Sequence, residues 1–263
     1  MKVGLPKEIK DQEARVAITP KGVKQLVQAG HSVYVEADAG LASGFINTDY
    51  QAAGGMLVST AEAWNVDLVI KVKEPQPSEY LYLGTQILFT FLHLSGVNKQ
   101  LTETLIKQGT TALAYESLED EHGRLPILAP MSAIAGNMAV SMGAYYLASF
   151  NQGNGMQLGC ILNKSYGKVL IIGDGVVGQH AAKVASAMGA HVYVAGRHKE
   201  KWPVLQAQGL SQVQFLQLTQ ENIAQQIVDA DLVIGALLSR GAKAPKIISE
   251  AMIKTTIDKV ALI

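Results

Sequence analysis

The chain alternates short apolar segments with longer amphipathic ones. In its first half, strand-like patterns cover residues 2–6, 31–38, 66–75, 85–94 and 110–117. Residues 19–30 and 98–109 have helical periodicity. Thr19 is placed to cap the first of these helices, Pro20 occupies its first turn, and Gly30 ends it. Strands that alternate with helices predict a parallel sheet that helices cover on both faces.

The second half repeats this alternation after a long helical segment. Residues 131–149 predict an Ala- and Met-rich helix that connects two domains, and the glycine-rich residues 150–160 predict a loop. Strand-like patterns follow at residues 168–173, 191–196, 213–218, 231–238 and 259–263. We therefore expect an α/β protein with two doubly wound Rossmann-like domains, residues 1–130 and 131–263. Because such a nucleotide-binding sheet usually has about six strands, we expect the second domain to be incomplete at its C-terminus.

The composition is typical of a soluble globular protein. Hydrophobic residues make up 48% of the chain, and 22 basic side chains balance 22 acidic ones. This balance gives no reason to expect a nucleic acid or a membrane as a partner. Cys160 is the only cysteine, and no Cys/His set has zinc spacing, so we expect neither an internal disulfide nor a metal site. The first residues lack the apolar stretch of a secretory signal, which favours a cytoplasmic protein.

A glycine-rich loop is the most informative part of the second half. Gly173, Gly175 and Gly178 form the pattern GxGxxG between an apolar strand and an Ala-rich helical segment. Glycine permits a tight turn and the close approach of a pyrophosphate, and the N-terminus of the following helix offers N–H groups to phosphate oxygens. This context predicts a dinucleotide-binding site. The alternative is a tight strand–helix turn whose glycines serve packing alone.

The end of the next strand bears on the choice of dinucleotide. Folds that bind NAD usually carry an Asp or Glu there, which binds the adenosine ribose. This chain has Gly196, Arg197, His198 and Lys199 instead, and we expect no carboxylate at this place. Because arginine accommodates the 2′-phosphate of NADP, Arg197 points towards NADP(H). The alternative is a solvated turn.

Basic side chains adjoin apolar runs in the first half. Arg15 precedes a short apolar stretch, and His93 ends a strongly apolar strand. Lys71 and Lys73 lie inside a predicted strand. An anionic small substrate would explain them, because arginine clamps a carboxylate at two points, lysine supplies a point charge and histidine exchanges a proton near neutral pH. Taken singly, each has a simpler explanation: a lysine that reaches solvent, a surface arginine or a hydrogen-bonded core histidine.

Several longer segments resemble the alanine dehydrogenase family. They are RVAITPKGV, LVIKVKEPQPSEY, QILFTFLHLS, APMSAIAG, the glycine loop after KVLIIG and DLVIGALLSRGAKAPK, in the order of the family from residue 1 to residue 263. The related proton-translocating transhydrogenases are the nearest alternative, although KVKEP and FLHL are more similar to alanine dehydrogenase. The resemblance implies reversible oxidative deamination of L-alanine to pyruvate and ammonium with NAD, in a cytoplasmic homo-hexamer that serves amino-acid catabolism.

The resemblance also implies roles for individual residues. Arg15 and Lys73 match contacts to the substrate carboxylate and carbonyl, and His93 matches the catalytic histidine, which makes residues 1–130 the substrate domain. In the dinucleotide-binding domain, the implied cofactor contacts are Ser132, Gly173, Gly175, Val176, Val177, Gly178, Gly196, Arg197, Lys201, Leu237 and Leu238. The family has an Asp where this chain has Gly196, so the choice between NAD and NADP stays open.

The end of the chain is a further expectation from the resemblance. In the family, the segment that matches KVALI continues into a catalytic Asp and then returns to the first domain. The resemblance therefore implies a C-terminal truncation, and we expect activity far below that of the family. Three alternatives to a dehydrogenase stay open: a non-catalytic nucleotide-binding protein, a transhydrogenase-like module and a decayed fragment without function.

Overall fold

The computed structural model describes residues 1–210, 212–239, 244–257 and 260–263. Contacts within the chain divide it into two units, Met1–Leu125 and Pro126–Ile263. Each unit contains a parallel sheet with helices on both faces, which confirms the predicted α/β class with two Rossmann-like domains. None of the helices in the described ranges has both the length and the apolar composition that crossing a bilayer requires.

The first unit is built on six parallel strands. These are β1 (Lys2–Leu5), β2 (Ser32–Glu36), β3 (Met56–Val58), β4 (Leu68–Ile70), β5 (Ile87–Thr90) and β6 (Thr111–Ala114). Its helices are α1 (Pro20–Gln28), α2 (Asn47–Ala52), α3 (Thr60–Trp64) and α4 (Lys99–Gln108). The strands lie in the order β3-β2-β1-β4-β5-β6. The sequence pattern does not predict β3, because three residues are too few to show an alternation.

Helices α1 and α4 lie within the predicted segments. Thr19 caps α1 by accepting a hydrogen bond from the N–H of Gly22, and Asn98 caps α4 in the same way. Gly30 and Gly109 follow these helices with φ angles of 85° and 72°, which glycine adopts without strain. Local signals were therefore sufficient to predict both helices.

The sheet of the first unit is buried on both faces. Val3 and Leu5 pack on the same face as α1 and α2, whereas Val69 and Leu88 pack on the face of α3 and α4. Gly4 faces α3 so closely that a Cβ would overlap a carbonyl oxygen of that helix. Burial on both faces explains why the strands are nearly continuous apolar runs.

The described residues of the second unit form a hairpin and five parallel strands. The strands are β7 (Gly159–Ile161) and β8 (Lys164–Tyr166) of the hairpin, then β9 (Lys168–Ile172), β10 (His191–Gly196), β11 (Gln214–Gln217), β12 (Leu232–Gly235) and β13 (Ala261–Leu262). Its helices are α5 (Leu128–Leu147), α6 (Val176–Met188), α7 (Trp202–Leu205), α8 (Gln220–Ile227) and α9 (Glu250–Ile253). The parallel strands lie in the order β11-β10-β9-β12-β13. All five predicted strands are confirmed, although Lys259, in the last of them, lies outside the described residues.

The hairpin departs from the loop predicted for residues 150–160. Leu162 and Asn163 connect its strands with φ angles of 49° and 63°, as in a left-handed two-residue turn. Asn tolerates this conformation, whereas Leu adopts it at a cost. Of the two turn residues, only Asn163 is of a type that indicates such a turn. The sequence pattern alone therefore misses the hairpin.

Helix α5 begins at Leu128 and ends at Leu147, whereas the pattern predicts residues 131–149. Pro130 lies in its first turn, where a missing N–H costs no helical hydrogen bond. The buried side of the helix faces the core of the second unit. Gly143 lets the helix approach β12, since a Cβ there would lie 2.5 Å from the side chain of Leu232.

Both sheets reverse their strand order at one point. In the first unit the chain moves from β1 to β2 and β3 on one side, and then to β4, β5 and β6 on the other. In the second unit it moves from β9 to β10 and β11, and then to β12 and β13. Ligands bind beyond the carboxyl ends of the strands at such a point. Each unit therefore has a predictable place for a site.

Candidate active site

In the first unit, three predicted site residues follow three adjacent strands. Arg15 lies after β1, Lys73 after β4 and His93 after β5. All three loops therefore begin at the carboxyl edge of the sheet, beside the point where the strand order reverses. The strand order thus brings to one edge the loops that the sequence separates widely.

The loop after β4 is held by a carboxylate from the loop after β1. Glu8 accepts hydrogen bonds from the N–H groups of Val72 (2.6 Å) and Lys73 (3.4 Å). If β1 were longer, its carbonyl groups could accept hydrogen bonds from these two N–H groups. Glu8 accepts them instead and so replaces a strand partner. The prediction that Lys71 and Lys73 lie inside a strand is therefore wrong, because β4 ends at Ile70.

Lys71 is a buried structural residue. Its side chain is 1% exposed, and Nζ lies 2.8 Å from Glu79 Oε1 and 3.4 Å from Glu8 Oε2. Nζ also lies 5.7 Å from the centre of the Trp64 ring. Burial raises the pKa of Glu8, and the charge of Lys71 opposes that rise. Two carboxylates thus compensate a cation that does not reach solvent, and a substrate is not needed to explain it.

The guanidinium of Arg15 already binds a carboxylate. Its Nε and Nη2 atoms donate to the two oxygens of Glu13 at 2.8 and 2.6 Å. The hydrogen bonds from Arg15 lower the pKa of Glu13, and the charge of Lys73 lowers it further. The side chain of Arg15 is 45% exposed, so the pair adjoins solvent. This arrangement can hold a flat carboxylate at two points beside a second cation.

The backbone of His93 has a strained conformation that a neighbouring carboxylate holds. Its φ angle is 46°, in the left-handed region that residues other than glycine seldom adopt. Glu116, after β6, accepts hydrogen bonds from the N–H groups of His93 (2.7 Å) and Leu92 (3.2 Å). The imidazole is exposed and stacks on Phe91, with ring centres 5.8 Å apart. Sequence reasoning missed Glu116, which it placed inside the strand predicted for residues 110–117.

In the second unit, the three glycines connect β9 to α6. Gly173 has a φ angle of 128°, which favours glycine strongly. A Cβ on Gly178 would overlap the carbonyl oxygen of Gly173, so glycine is needed there for close packing of helix and strand. A Cβ on Gly175 would have no atom within 4 Å. Packing does not explain Gly175, and the open space beside it would admit a pyrophosphate.

The first turn of α6 presents donors beside this loop. The helix begins at Val176, and its N-cap, Gly175, has no side chain to accept from the first N–H groups. The N–H groups of Val176 and Val177 are therefore suited to phosphate oxygens. Ser132 is half-buried and lies four residues before Gly136, on the same face of α5. A Cβ on Gly136 would overlap the backbone of Val177, which brings that face to the start of α6.

The loop after β12 lies against the glycine loop. A Cβ on Gly173 would overlap the carbonyl group of Ala236. Leu237 is partly buried against the core, and Leu238 is 66% exposed. Both lie at the carboxyl edge of the sheet, whereas residues 240–243 of the same motif lie outside the described residues. Within the described ranges, no three His, Cys, Asp or Glu side chains are grouped so as to hold a metal ion.

A carboxylate lies at the end of β10, and the expectation that none is available there is wrong. Asp174 accepts hydrogen bonds through Oδ2 from the N–H groups of Arg197 (3.1 Å) and His198 (2.8 Å). The side chains of Arg197 and Lys201 are exposed. Asp174 belongs to the glycine loop, far from Gly196 in the sequence. Inspection of the second strand alone therefore misses it, although the strand–loop–helix motif could have suggested it.

Sequence comparisons place both units in one family. The N-terminal domain of alanine dehydrogenase/PNT matches residues 4–135, and the C-terminal domain of the same family matches residues 139–262. Alanine dehydrogenase of Staphylococcus epidermidis is 45% identical over 260 residues, which are 98% of this chain and 70% of that protein.

Solved structures give the same result. A structure of L-alanine dehydrogenase matches with a TM-score of 0.88 and 41% identity, over 100% of this chain and 73% of that one. A transhydrogenase from Sinorhizobium meliloti matches with a TM-score of 0.78 and 25% identity, over 100% of this chain and 77% of that one. The chain therefore belongs to the alanine dehydrogenase/pyridine nucleotide transhydrogenase family.

Proposed function

We propose that this chain is an alanine dehydrogenase. The reaction converts L-alanine, NAD⁺ and water to pyruvate, ammonium, NADH and a proton, and the reverse. One observation carries the proposal: Arg15, Lys73 and His93 lie on loops at one edge of the first sheet, in a member of this family. We assign the substrate to the first unit and the dinucleotide to the second.

The charges of the first unit suit the carboxylate of pyruvate or alanine. Arg15 binds that carboxylate with the two-point geometry that it shows towards Glu13. Lys73 acts electrostatically on the same carboxylate of Glu13, and its ammonium group polarises the carbonyl oxygen of pyruvate. Substrate and Glu13 therefore compete for the guanidinium, which tunes the affinity for the substrate.

His93 moves the protons of the reaction. During amination, ammonia adds to the carbonyl carbon and water leaves, so the departing oxygen needs a proton. An imidazole exchanges protons near neutral pH. The hydrogen bond that the backbone N–H of His93 donates to Glu116 fixes the backbone, and the stacking on Phe91 orients the ring. The nicotinamide, when bound, supplies the hydride that reduces the resulting imine. During deamination, His93 takes a proton from the attacking water.

The glycine loop and the start of α6 support a nicotinamide dinucleotide, and we propose NAD rather than NADP. We also propose a cytoplasmic homo-hexamer that serves amino-acid catabolism, on the basis of the family resemblance. Sedimentation velocity tests the assembly, because a hexamer has about six times the mass of a 28.1 kDa chain. A species that stays at the mass of one chain would contradict the hexamer and leave the reaction open.

An absorbance assay tests the reaction. The purified chain should oxidise NADH in the presence of pyruvate and ammonium, and omission of either one should stop the oxidation. Oxidation that does not need ammonium would contradict an amination. Binding of NADH without any oxidation, followed by nucleotide fluorescence, would favour a non-catalytic nucleotide-binding protein.

The similarity to a transhydrogenase supplies the second candidate function. A transhydrogenase-like module would exchange hydride between NAD(H) and NADP(H). The same preparation, mixed with NADPH and an NAD analogue whose reduced form absorbs at a different wavelength, distinguishes the two. Hydride exchange without pyruvate or ammonium would favour this candidate over the dehydrogenase.

A further inference from the structure

We propose that Asp174 binds the adenosine ribose of the dinucleotide and makes this chain prefer NAD(H) to NADP(H). Its role rests on the proposed function, because it concerns the cofactor of that same site. In dinucleotide-binding folds, the ribose-binding carboxylate ordinarily stands at the end of the second strand. Here that strand, β10, ends at Gly196, and the glycine loop supplies the carboxylate instead.

The side chain of Asp174 lies beside the end of β10. Oδ2 accepts from the N–H groups of Arg197 (3.1 Å) and His198 (2.8 Å), and lies 3.0 Å from Nδ1 of His198. The side chain is 10% exposed. Among the described residues, no donor reaches Oδ1. One oxygen thus fixes the carboxylate to the turn after β10, and the other is left to accept a hydrogen bond from a ribose hydroxyl.

Asp174 occupies the space in which a side chain at position 196 would lie. A Cβ on Gly196 would lie 2.5 Å from Cβ and 2.7 Å from Oδ2 of Asp174. Gly196 is not among the glycines with positive φ, so the backbone conformation does not require glycine there. The space that Asp174 fills does require it. Side chains at positions 174 and 196 therefore exclude each other, and in this chain the carboxylate lies at position 174.

This carboxylate discriminates against a 2′-phosphate. A ribose hydroxyl can donate to Oδ1, whereas a 2′-phosphate brings acceptors and negative charge to the same place. Solvent screens this repulsion only partly, because the side chain of Asp174 is 10% exposed. The guanidinium of Arg197 is exposed, and an exposed cation contributes little to binding an anion. We infer that Asp174 outweighs Arg197, contrary to the NADP preference that Arg197 alone suggests.

Isothermal titration calorimetry with NADH and with NADPH tests this role. The 263-residue chain should bind NADH roughly tenfold or more tightly than NADPH, a difference of about 1.4 kcal/mol or more. Asp174→Asn keeps the size of the side chain and removes its charge. It should weaken NADH binding, leave NADPH binding equal or tighter, and so narrow the ratio of the two dissociation constants.

Three further variants make the test specific. Asp229 pairs with Lys168 at the opposite end of β9 and is exposed, so Asp229→Asn should leave both dissociation constants unchanged. Gly196→Asp alone should lower the melting temperature, because it collides with Asp174. The exchange variant Asp174→Gly/Gly196→Asp moves the carboxylate to the strand end and should recover both the fold and the preference for NADH. If Asp174→Asn fails to fold, this exchange variant carries the test.

The outcomes separate this role from the catalytic function. An unchanged ratio in a folded Asp174→Asn variant would overturn the role of Asp174, and so would a wild-type preference for NADPH. An exchange variant that folds but loses the preference for NADH would overturn it as well. A chain that prefers NADH through Asp174, but never oxidises it with pyruvate and ammonium, would support the role and contradict the dehydrogenase. Failure to bind either dinucleotide would contradict both.

Discussion

The guanidinium of Arg15 is paired with Glu13 through two hydrogen bonds. In the proposed function, the substrate carboxylate would use the same donors. Arg15→Lys keeps the charge and removes the two-point geometry. Hydrogen bonds to charged groups contribute about 1.5–3 kcal/mol, so we expect the KM for pyruvate to rise roughly 10- to 100-fold, with a smaller change in kcat. Steady-state kinetics at saturating ammonium and NADH measures both constants.

Arg124 provides the matched control for this substitution. Its Nε donates to Asp120, but its side chain is 72% exposed and it lies far along the chain from the predicted site. Arg124→Lys should leave the KM for pyruvate unchanged. Equal effects of the two substitutions would show that Arg15 does not bind the substrate.

We propose that His93 carries the proton transfers of the reaction. Asn tolerates a φ angle of 46° and cannot act as a base, so His93→Asn preserves the backbone and removes the chemistry. We expect kcat to fall about 10²- to 10⁴-fold. His122 is 63% exposed beside Glu121, and His122→Asn serves as the control. A His93→Asn variant with nearly normal kcat would exclude His93 as the proton carrier.

We propose that Glu116 acts through His93 as a positioning residue. Glu116→Ala removes the acceptor for two N–H groups, so we expect a loss of about 1–3 kcal/mol in unfolding free energy together with a lower kcat. Glu116→Gln retains an acceptor oxygen and should recover most of kcat. Glu103→Ala, which removes an exposed partner of Lys99, is the control. If Glu116 were only structural, the folded Ala variant would keep its kcat and its pH profile.

At the scale of the element, two glycines of the loop after β9 are required for different reasons, one for packing and one for the proposed ligand. A Cβ on Gly178 would overlap backbone atoms, whereas a Cβ on Gly175 meets only open space. Gly175→Ala should therefore keep the melting temperature and weaken NADH binding tenfold or more, about 1.4 kcal/mol. Gly178→Ala should lower the melting temperature and also weaken NADH binding. Thermal unfolding and calorimetric titration measure the two effects, and normal NADH binding by Gly175→Ala would mean that no pyrophosphate approaches there.

The sequence predicts those elements and residues whose partners lie nearby in the chain. The cap at Thr19 and the glycines of the nucleotide loop are local signals, because partners a few residues apart decide them. Lys71 and Asp174 differ, since their partners come from other loops that only the tertiary fold brings near. The sequence pattern therefore predicts helices α1 and α4 and the longer parallel strands, but it misses β3 and the hairpin. It also misplaces Lys71 within a strand and misses the carboxylate at the end of β10.

At the scale of the whole molecule, the strand order brings residues that are far apart in the sequence to the same edge of a sheet. Alternation of strands and helices predicts parallel sheets, but it does not say which strands are neighbours. The adjacency of β1, β4 and β5 brings the loops of Arg15, Lys73 and His93 to one edge of the first unit. In the second unit, the adjacency of β9 and β12 places Ala236 against the glycine loop.

The most direct test of the proposed function follows the hydride itself. The chain is incubated with pyruvate, ammonium and NADH that carries deuterium at both C4 positions of the nicotinamide, and the product is analysed by proton NMR and chiral chromatography. We predict L-alanine with one deuterium on Cα, whose methyl signal therefore loses its splitting by the Cα proton. Deuterated lactate would instead reveal a hydroxy-acid dehydrogenase, and the absence of labelled alanine would contradict the proposed function.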